Sequence, residues 1–267
     1  MLDQMRVDPG DHPKLAHRDS ADKLGLMSKE AAKQELIELT GQLADLQARL
    51  WAEDRRSLLV VLQALDAAGK DGTIRQVFTG VNPQGCTVTS FKAPSSDELD
   101  HDYLWRVHQV CPRRGEIGIF NRSHYEDVLA VRVMGLVPEE RWRKRFAHIR
   151  AFEQLLADEG TAIIKIHLQI SFDEQAERMR DRLADPRKNW KFRVADLEVR
   201  KQWDQYQEAY EEAIAETSTE DAPWYVVPAD RRWVRNVAVS RILVSTLEKM
   251  APEYPPAEPG LESVTID

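Results

Sequence analysis

From Leu58 onward, short apolar runs alternate with longer amphipathic segments, and this alternation leaves few fold classes open. The runs predict strands at Leu58–Gln63, Thr87–Phe91, Glu116–Phe120, Thr161–Leu168 and Trp224–Val227. The intervening segments predict helices near Lys70–Val81, Ser96–His108, Pro138–Glu159 and Ala195–Thr217, and a last helix over Arg231–Met250. Apolar strands that alternate with helices are typical of a parallel sheet covered on both faces. We therefore predict a three-layer α/β fold with a central parallel sheet of about five strands.

The two ends of the chain differ in composition from this domain. Residues 1–50 predict a polar arm, ordered only where it packs on something, and then a helical extension that begins near Ser28. One face of this helix carries an apolar stripe, formed by Leu36, Leu39, Leu43, Leu46 and Leu50. The stripe packs either on the domain body or on a second copy of the chain. Residues 51–250 form the predicted α/β domain, and 251–267 a Pro-rich tail.

Charge and hydropathy exclude several classes of protein. The formal net charge of -8 argues against nonspecific binding of nucleic acid, so an anion site has to be local. No apolar run reaches the ~18 to 20 residues that cross a bilayer, and the N-terminus lacks the apolar core of a signal peptide. Cys86 and Cys111 lack metal-ligand spacing and are expected to be free thiols. We expect a cytoplasmic protein without membrane or nucleic-acid partners.

The stretch LLVVLQALDAAGKDGTI, residues 58–74, predicts a phosphate-binding loop. It resembles the Walker A pattern, although Ala64 replaces the first glycine and Asp71 replaces the hydroxyl residue. A strand followed by a Gly-rich turn and a helix N-terminus directs backbone N–H groups at an anion. The predicted phosphate-binding residues of the loop are Ala67, Ala68, Gly69, Lys70, Asp71, Gly72 and Thr73. The alternative is a strand-to-helix turn capped by Asp71.

A carboxylate inside such a loop predicts a metal. Asp66 follows a buried strand and would repel phosphate unless Mg²⁺ lay between them, and Asp71 and Thr73 are nearby oxygen donors.

The stretch EIGIFNRSHYEDVLAVRV, residues 116–133, predicts a second part of the same site. Its strand ends in Asn121 and Arg122, and the carboxyl ends of parallel strands converge on one ligand crevice. Asn121 stands where a magnesium-binding Asp is usual, and Glu126 and Asp127 could supply that charge. Alternatively, these two acids complement the dipole of a helix N-terminus.

A basic cluster follows the fourth predicted strand and predicts a lid at about 173–195. Arg178 and Arg182 are one helical turn apart and are expected to project together, with Lys188 beyond a proline break. Such cations could close over a transferred phosphoryl group and exclude water. The alternative is a solvated helix face.

With these elements in order, the chain resembles the family-2 polyphosphate kinases from about Trp51 to Met250. The resemblance rests on DAAGKDGTI, NPQGCTVTSFKAPSSDELDHDYLWR, GEIGIFNRSHYEDVL and KNWKF. It implies a P-loop-kinase fold similar to thymidylate kinase and reversible phosphoryl transfer between inorganic polyphosphate and nucleotides with Mg²⁺, or alternatively Mn²⁺. It also implies the site residues. Asp66, Gly69, Lys70 and Gly72 form the phosphate and metal loop, Arg122 is a phosphate clamp, and Arg178 and Arg182 are lid arginines.

The residues after the third strand indicate a subclass. Many relatives read Asp-Arg-Ser-Trp-Tyr-Asn, whereas residues 121–126 here read NRSHYE, which resembles class III. That class accepts nucleoside mono- and diphosphates, so AMP, ADP and ATP, with guanine nucleotides in addition, are the implied partners. Asp66, Glu126 and Asp127 are the expected metal ligands. A homo-oligomer, dimer or tetramer, is also expected.

Other functional assignments rest on single residues. A basic polyphosphate groove could include Lys92, Arg113, Arg114 and Lys188, and a base slot could include Phe78 or Val81. His124 could form a phosphohistidine, although direct transfer is simpler. The rival functions are an ATP-dependent nucleotide or nucleoside kinase, a non-catalytic nucleotide-binding switch and a structural scaffold.

Overall fold

The fold is built on one mixed sheet. In the computed structural model, which describes residues 2–261 and 264–266, the six strands of the described chain form one sheet. They are β1 (Arg6–Val7), β2 (Ser57–Gln63), β3 (Cys86–Ser90), β4 (Ile117–Asn121), β5 (Thr161–Gln169) and β6 (Trp224–Pro228). Their order across the sheet is β1-β6-β5-β2-β4-β3. Strands β2 to β6 are parallel, as predicted, and β1 is antiparallel to β6.

Helices connect and cover these strands. They are α1 (Leu2–Met5), α2 (Lys29–Glu53), α3 (Lys70–Val77), α4 (Ser96–Leu99), α5 (Trp105–His108), α6 (Ala130–Val133), α7 (Glu139–Asp158), α8 (Phe172–Ala184), α9 (Ala195–Lys201), α10 (Trp203–Thr217) and α11 (Arg232–Met250). Short 3-10 turns lie at Leu15–His17, Pro83–Gly85, His124–Asp127 and Asn189–Lys191. None of the helices in the described ranges is long and apolar enough to span a membrane.

The central strand β2 is buried on both faces, which accounts for its unbroken apolar run. Leu58, Val60 and Leu62 belong to one hydrophobic cluster with residues of α2, α3 and α11. Leu59 and Val61 point the other way and pack with residues of α7 and α10. The side-chain period of two therefore produces the three predicted layers.

The N-terminal segment packs on the domain through several buried side chains. Met5, Val7, Leu15 and Leu24 are buried in the two hydrophobic clusters. Strand β1 completes one edge of the sheet, although two residues are too few to give a periodic signal in sequence. Residues 2–27 are therefore part of the folded body.

The leucine stripe of α2 packs on the domain body. Leu43 and Leu50 are fully buried, and α2 packs along α11. Leu36, Leu39 and Leu46 are half-buried against the same hydrophobic cluster, so the stripe packs on the domain body. The oligomeric state stays a prediction.

Two predicted helices are each divided in the structure. The segment Ser96–His108 forms α4 and α5, because Asp102 accepts from the Leu104 N–H and makes a turn between them. The segment Ala195–Thr217 forms α9 and α10, which meet at Gln202. Helix α3 ends at Val77 rather than Val81, shortly before Gly80 takes φ 87°.

Candidate active site

The phosphate loop lies at the carboxyl end of the central strand. Between β2 and α3 the backbone takes left-handed conformations at Ala67, with φ 67°, and at Gly69, with φ 106°. Gly69 is the N-cap of α3, so the helix N-terminus faces the crevice above the sheet. The strand, loop and helix expected for phosphate binding are therefore present.

Lys70 is buried at the start of α3 and its ammonium group donates to the Ala64 carbonyl at 2.7 Å. Burial, followed by the charge of Arg122, lowers the pKa of Lys70 to about 8. Burial therefore destabilises the charged form of Lys70. An anionic phosphate bound beside it would stabilise that form.

Arg122 joins the two halves of the predicted site. Its backbone has φ 63°, and its N–H donates to the Leu62 carbonyl at 3.0 Å, which fixes it beside β2. The guanidinium donates to Asp66 at 2.6 Å and to Glu126 at 3.4 Å. All three side chains are partly exposed. The two carboxylates therefore meet around one cation at the mouth of the loop.

The charges in this cluster favour ionised groups. Burial raises the pKa of Asp66, but the positive charges of Lys70 and Arg122 outweigh it and leave that pKa below its usual value. Burial lowers the pKa of Arg122, yet Glu126 and Asp66 raise it above its usual value. The site thus brings the cations Lys70 and Arg122 and the carboxylates Asp66 and Glu126 into one cluster.

The family model of Polyphosphate kinase 2 (PPK2) matches residues 26–255. The chain belongs to the polyphosphate kinase 2 family. This confirms the resemblance seen in the sequence.

Individual relatives agree with this assignment. An AMP/ADP-polyphosphate phosphotransferase of Meiothermus ruber is 55% identical over 267 residues, 100% of both chains. An ADP-polyphosphate phosphotransferase of Rhodopseudomonas palustris is 47% identical over 245 residues, covering 87% of this chain and 85% of that protein. The crystal structure of polyphosphate kinase 2 from Arthrobacter aurescens TC1 has a TM-score of 0.93 at 40% identity, covering 97% of this chain and 93% of that one. The kinase-like fold is thereby confirmed.

Several predicted oxygen donors in this polyphosphate kinase 2 chain have structural partners. Asn121 donates to Asp71 at 2.9 Å and ties the end of β4 to α3. The hydroxyl of Thr73 donates to the Gly69 carbonyl at 3.2 Å within the first turn of α3. In this structure both side chains therefore stabilise the loop.

Asp127 and Lys188 form ion pairs with residues outside the Asp66–Arg122–Glu126 cluster. Asp127 is 2.9 Å from Arg145, and burial raises its pKa. Lys188 is exposed and pairs with Asp185 at 2.8 Å. The structure does not bring either residue to the loop.

Arg178 and Arg182 have different contacts, contrary to the expectation that they project together. Arg178 is buried and donates to the backbone carbonyls of Ala67 and Ala68 at 3.2 and 2.8 Å. Arg182 is 3.8 Å from Asp196, and its charge helps to lower the pKa of Asp66. Only Arg182 faces the acidic part of the crevice.

The expected polyphosphate groove and base slot are only partly supported. Arg113 and Arg114 precede β4, at the opposite end of the sheet from the crevice, and Arg113 pairs with Glu116 at 2.7 Å. Lys92 follows β3 at the correct end. Val81 is buried in the hydrophobic core, and Phe78 is partly buried against that core. Both side chains follow α3 in the chain and contribute to the hydrophobic cluster on that face of the sheet, rather than to a base slot.

His124 is fully buried below the crevice. Its Nε2 lies 3.2 Å from a Glu153 oxygen, and Glu153 also accepts from Tyr125 at 2.8 Å and from Lys165 at 2.5 Å. A side chain enclosed in this way cannot reach a transferred phosphoryl group. The phosphohistidine hypothesis is therefore wrong for this structure.

Sequence reasoning missed residues that reach the site from helices α10 and α11 and from the end of β2. Tyr206 and Tyr210 of α10 have pKa values raised by burial and then by the charge of Glu126. When the side-chain amide of Gln63 is oriented so that both its nitrogen and its oxygen have hydrogen-bond partners, the nitrogen donates to Glu126 at 3.1 Å. Arg235 of α11 donates to the Ala68 carbonyl at 2.9 Å. No local motif marks these positions.

Proposed function

We propose that this protein transfers a phosphoryl group from inorganic polyphosphate first to AMP and then to ADP, reversibly and with Mg²⁺. The observation that carries the proposal is the meeting of Asp66, Arg122 and Glu126 beside the phosphate loop. The Meiothermus ruber relative, named for both acceptors, supports the pair of substrates. Guanine nucleotides stay a prediction.

The chain's own residues mainly position and neutralise phosphates. Phosphoryl transfer needs little covalent chemistry from a protein, so in-line placement and charge stabilisation account for most of the rate. Backbone N–H groups at the start of α3 and the ammonium group of Lys70 would hold a phosphate against the loop. Arg122 would leave its carboxylate partners in part to bind phosphate oxygens at the same crevice.

The carboxylates present fit a divalent metal. Asp66 and Glu126 approach the same guanidinium, and Mg²⁺ is commonly held by one or two carboxylates plus substrate phosphates. No group of three or more His, Cys, Asp or Glu in the described ranges could hold a metal on its own, so substrate oxygens would complete the shell. When held by Asp66 and Glu126, the ion would supply positive charge that neutralises the charge developing on the phosphate oxygens.

Glu126 is the proposed determinant of acceptor choice. Its carboxylate lies at the mouth of the loop, held by Arg122 and Gln63, on the same side as Asp66. A monophosphate acceptor is shorter than a diphosphate by one phosphoryl group, so an additional metal-binding carboxylate would help to position it. This role rests on charge and position.

The lid at about 173–195 and the domain bounds are also part of the proposal. Helix α8 ends at Ala184, and Trp190 and Val194 in the following segment are well exposed. Arg182 next to the acidic crevice is the residue best placed to contact bound phosphates on closure.

The free thiols of Cys86 and Cys111 are compatible with the cytoplasmic location predicted from sequence.

The donor distinguishes this function from an ordinary nucleotide kinase. Purified protein is incubated with ADP and Mg²⁺, with and without long-chain polyphosphate, and AMP, ADP and ATP are separated by ion-exchange chromatography. We expect ATP only with polyphosphate and without an equal amount of AMP. Equal ATP and AMP formed in the absence of polyphosphate would assign disproportionation of ADP instead. Nucleotide binding without any turnover would assign a switch.

A further inference from the structure

Arg235 lies directly beneath the phosphate loop, buried in α11. Its side chain is 3% exposed, and its Nη1 donates to the Ala68 carbonyl at 2.9 Å. Its Nε and Nη2 donate to the Asn236 side-chain oxygen at 3.2 and 3.0 Å, which fixes the guanidinium plane. A Cβ on Gly69 would come within 2.0 Å of Nη1, so only glycine lets the loop rest on this group.

The loop carbonyls are held on the protein side from several directions. Arg178 donates to the same Ala68 carbonyl at 2.8 Å, so two guanidinium groups converge on one oxygen. Gln175 donates to the Asp66 carbonyl at 2.9 Å. In a trans peptide the next N–H points opposite to the carbonyl. Fixing the Ala68 carbonyl inward therefore directs the Gly69 N–H toward the crevice.

The charge of Arg235 is not balanced by a carboxylate among its hydrogen-bond partners in the described chain. Those partners are the Ala68 carbonyl and the Asn236 amide oxygen. Burial, with the nearby charges of Arg178 and Arg232, lowers the pKa of Arg235 to about 9, so it is still a cation at neutral pH. A buried cation is costly unless a counter-charge is near, and a phosphate bound at the loop that rests on Arg235 would supply one.

We propose that Arg235 is a positioning residue for the phosphate chain: it sets the loop so that its N–H groups face the crevice, and its charge is balanced by a phosphate bound on the other side. The inference rests on the proposed function. It adds a residue 167 positions from Ala68 in the chain. Arg235 acts through the loop backbone and does not touch the reacting atoms.

The test measures phosphate binding apart from turnover. Inorganic tripolyphosphate with Mg²⁺ is titrated into wild type, Arg235→Met and Arg235→Lys by calorimetry, after thermal melting has shown that each variant is folded. Loss of the loop-setting hydrogen bond and of the buried charge should weaken binding by Arg235→Met about tenfold or more. Lysine keeps the charge but cannot reach both the Ala68 carbonyl and the Asn236 side-chain oxygen. Arg235→Lys should therefore bind tripolyphosphate about threefold to tenfold more weakly than wild type.

Arg241→Met is the matched control, because Arg241 lies on the same helix and pairs with Glu35 away from the loop. It should bind tripolyphosphate like wild type. If Arg235→Met does not fold, the affinity of Arg235→Lys for tripolyphosphate tests the inference. Wild-type affinity in a folded Arg235 variant would overturn the inference while leaving the function intact. Wild-type protein that neither binds tripolyphosphate nor uses polyphosphate would overturn the proposed function itself.

Discussion

Arg122 takes a left-handed backbone conformation, which is uncommon for a residue other than glycine and places its side chain between Asp66 and Glu126. Backbone strain of this kind often accompanies a positioned functional group. The conformation is anchored by the bond from the Arg122 N–H to β2. We therefore expect the residue to be sensitive to substitution in activity far more than in stability.

Arg122→Ala and Asp66→Asn should each lower kcat for ADP phosphorylation by about 10²–10³-fold, the usual cost of losing one charge-stabilising group. Both side chains are partly exposed, so thermal unfolding should shift little. Initial rates with saturating polyphosphate and a thermal melt measure the two effects. Wild-type turnover in either variant would show that the cluster is not the site.

Glu126→Asn should reduce phosphorylation of AMP more than that of ADP, since the proposed extra metal-binding carboxylate is needed most for the shorter acceptor. The ratio of kcat/KM for the two acceptors measures this. Asp127→Asn is the control, because Asp127 pairs with Arg145 and should leave the ratio unchanged. Equal losses on both acceptors in Glu126→Asn would refute the selective role.

At the scale of elements, helix α7 and strand β5 share a buried ion pair. Glu153 and Lys165 are 2.5 Å apart and both are almost fully buried. Lys165 also donates to the Thr217 carbonyl at 2.6 Å, so the pair is joined to α10. The same glutamate contacts His124 and Tyr125, which links this network to the loop that carries Arg122.

Lys165→Met should lower the free energy of unfolding by about 3–5 kcal/mol, because it leaves Glu153 buried without its cation. Urea denaturation measures this loss. The surface pair Lys144–Glu140 lies on the same helix α7, so Lys144→Met is the control and should cost about 0–1 kcal/mol. Similar small losses in both variants would contradict the assigned importance of the buried pair.

Leu43→Ala in α2 should cost about 2–5 kcal/mol, since it removes a fully buried side chain from the contact between α2 and α11. Ile37→Ala is the control, because Ile37 is exposed on the same helix. Chemical denaturation compares the two variants. An equal and small effect would mean that the stripe does not pack as described.

Sequence patterns predicted the parts of these elements whose signal is local. Strand β2 was found because both of its faces are apolar, and the loop because Gly69 and Lys70 follow a strand. The spacing of Arg178 and Arg182 predicts one helical turn between them, which α8 confirms, but spacing does not show which neighbour a helix face meets. Arg235 carries no local signal, since its partner Ala68 is distant in sequence and only the packing of α11 brings them together.

At the scale of the whole molecule, the charge is organised so that an acidic protein can bind a polyanion. The formal net charge is -8, yet Lys70, Arg122 and Arg182 lie near Asp66 at one crevice, and Arg235 lies beneath the loop. We therefore expect a polyanion to bind at this local group of cations, and the negative net charge to disfavour binding elsewhere on the surface. This distribution follows from the topology, because the loops after β2, β4 and β5 open on the same edge of the sheet.

The most direct test of the central claim uses AMP as the sole nucleotide, with long-chain polyphosphate, Mg²⁺ and no added ATP. Products are followed over time by ion-exchange chromatography. We predict that ADP rises first and ATP follows as ADP is consumed. Formation of ADP alone would contradict action on both acceptors, and no product from AMP or ADP, with ATP active as a donor, would contradict polyphosphate as the phosphoryl source.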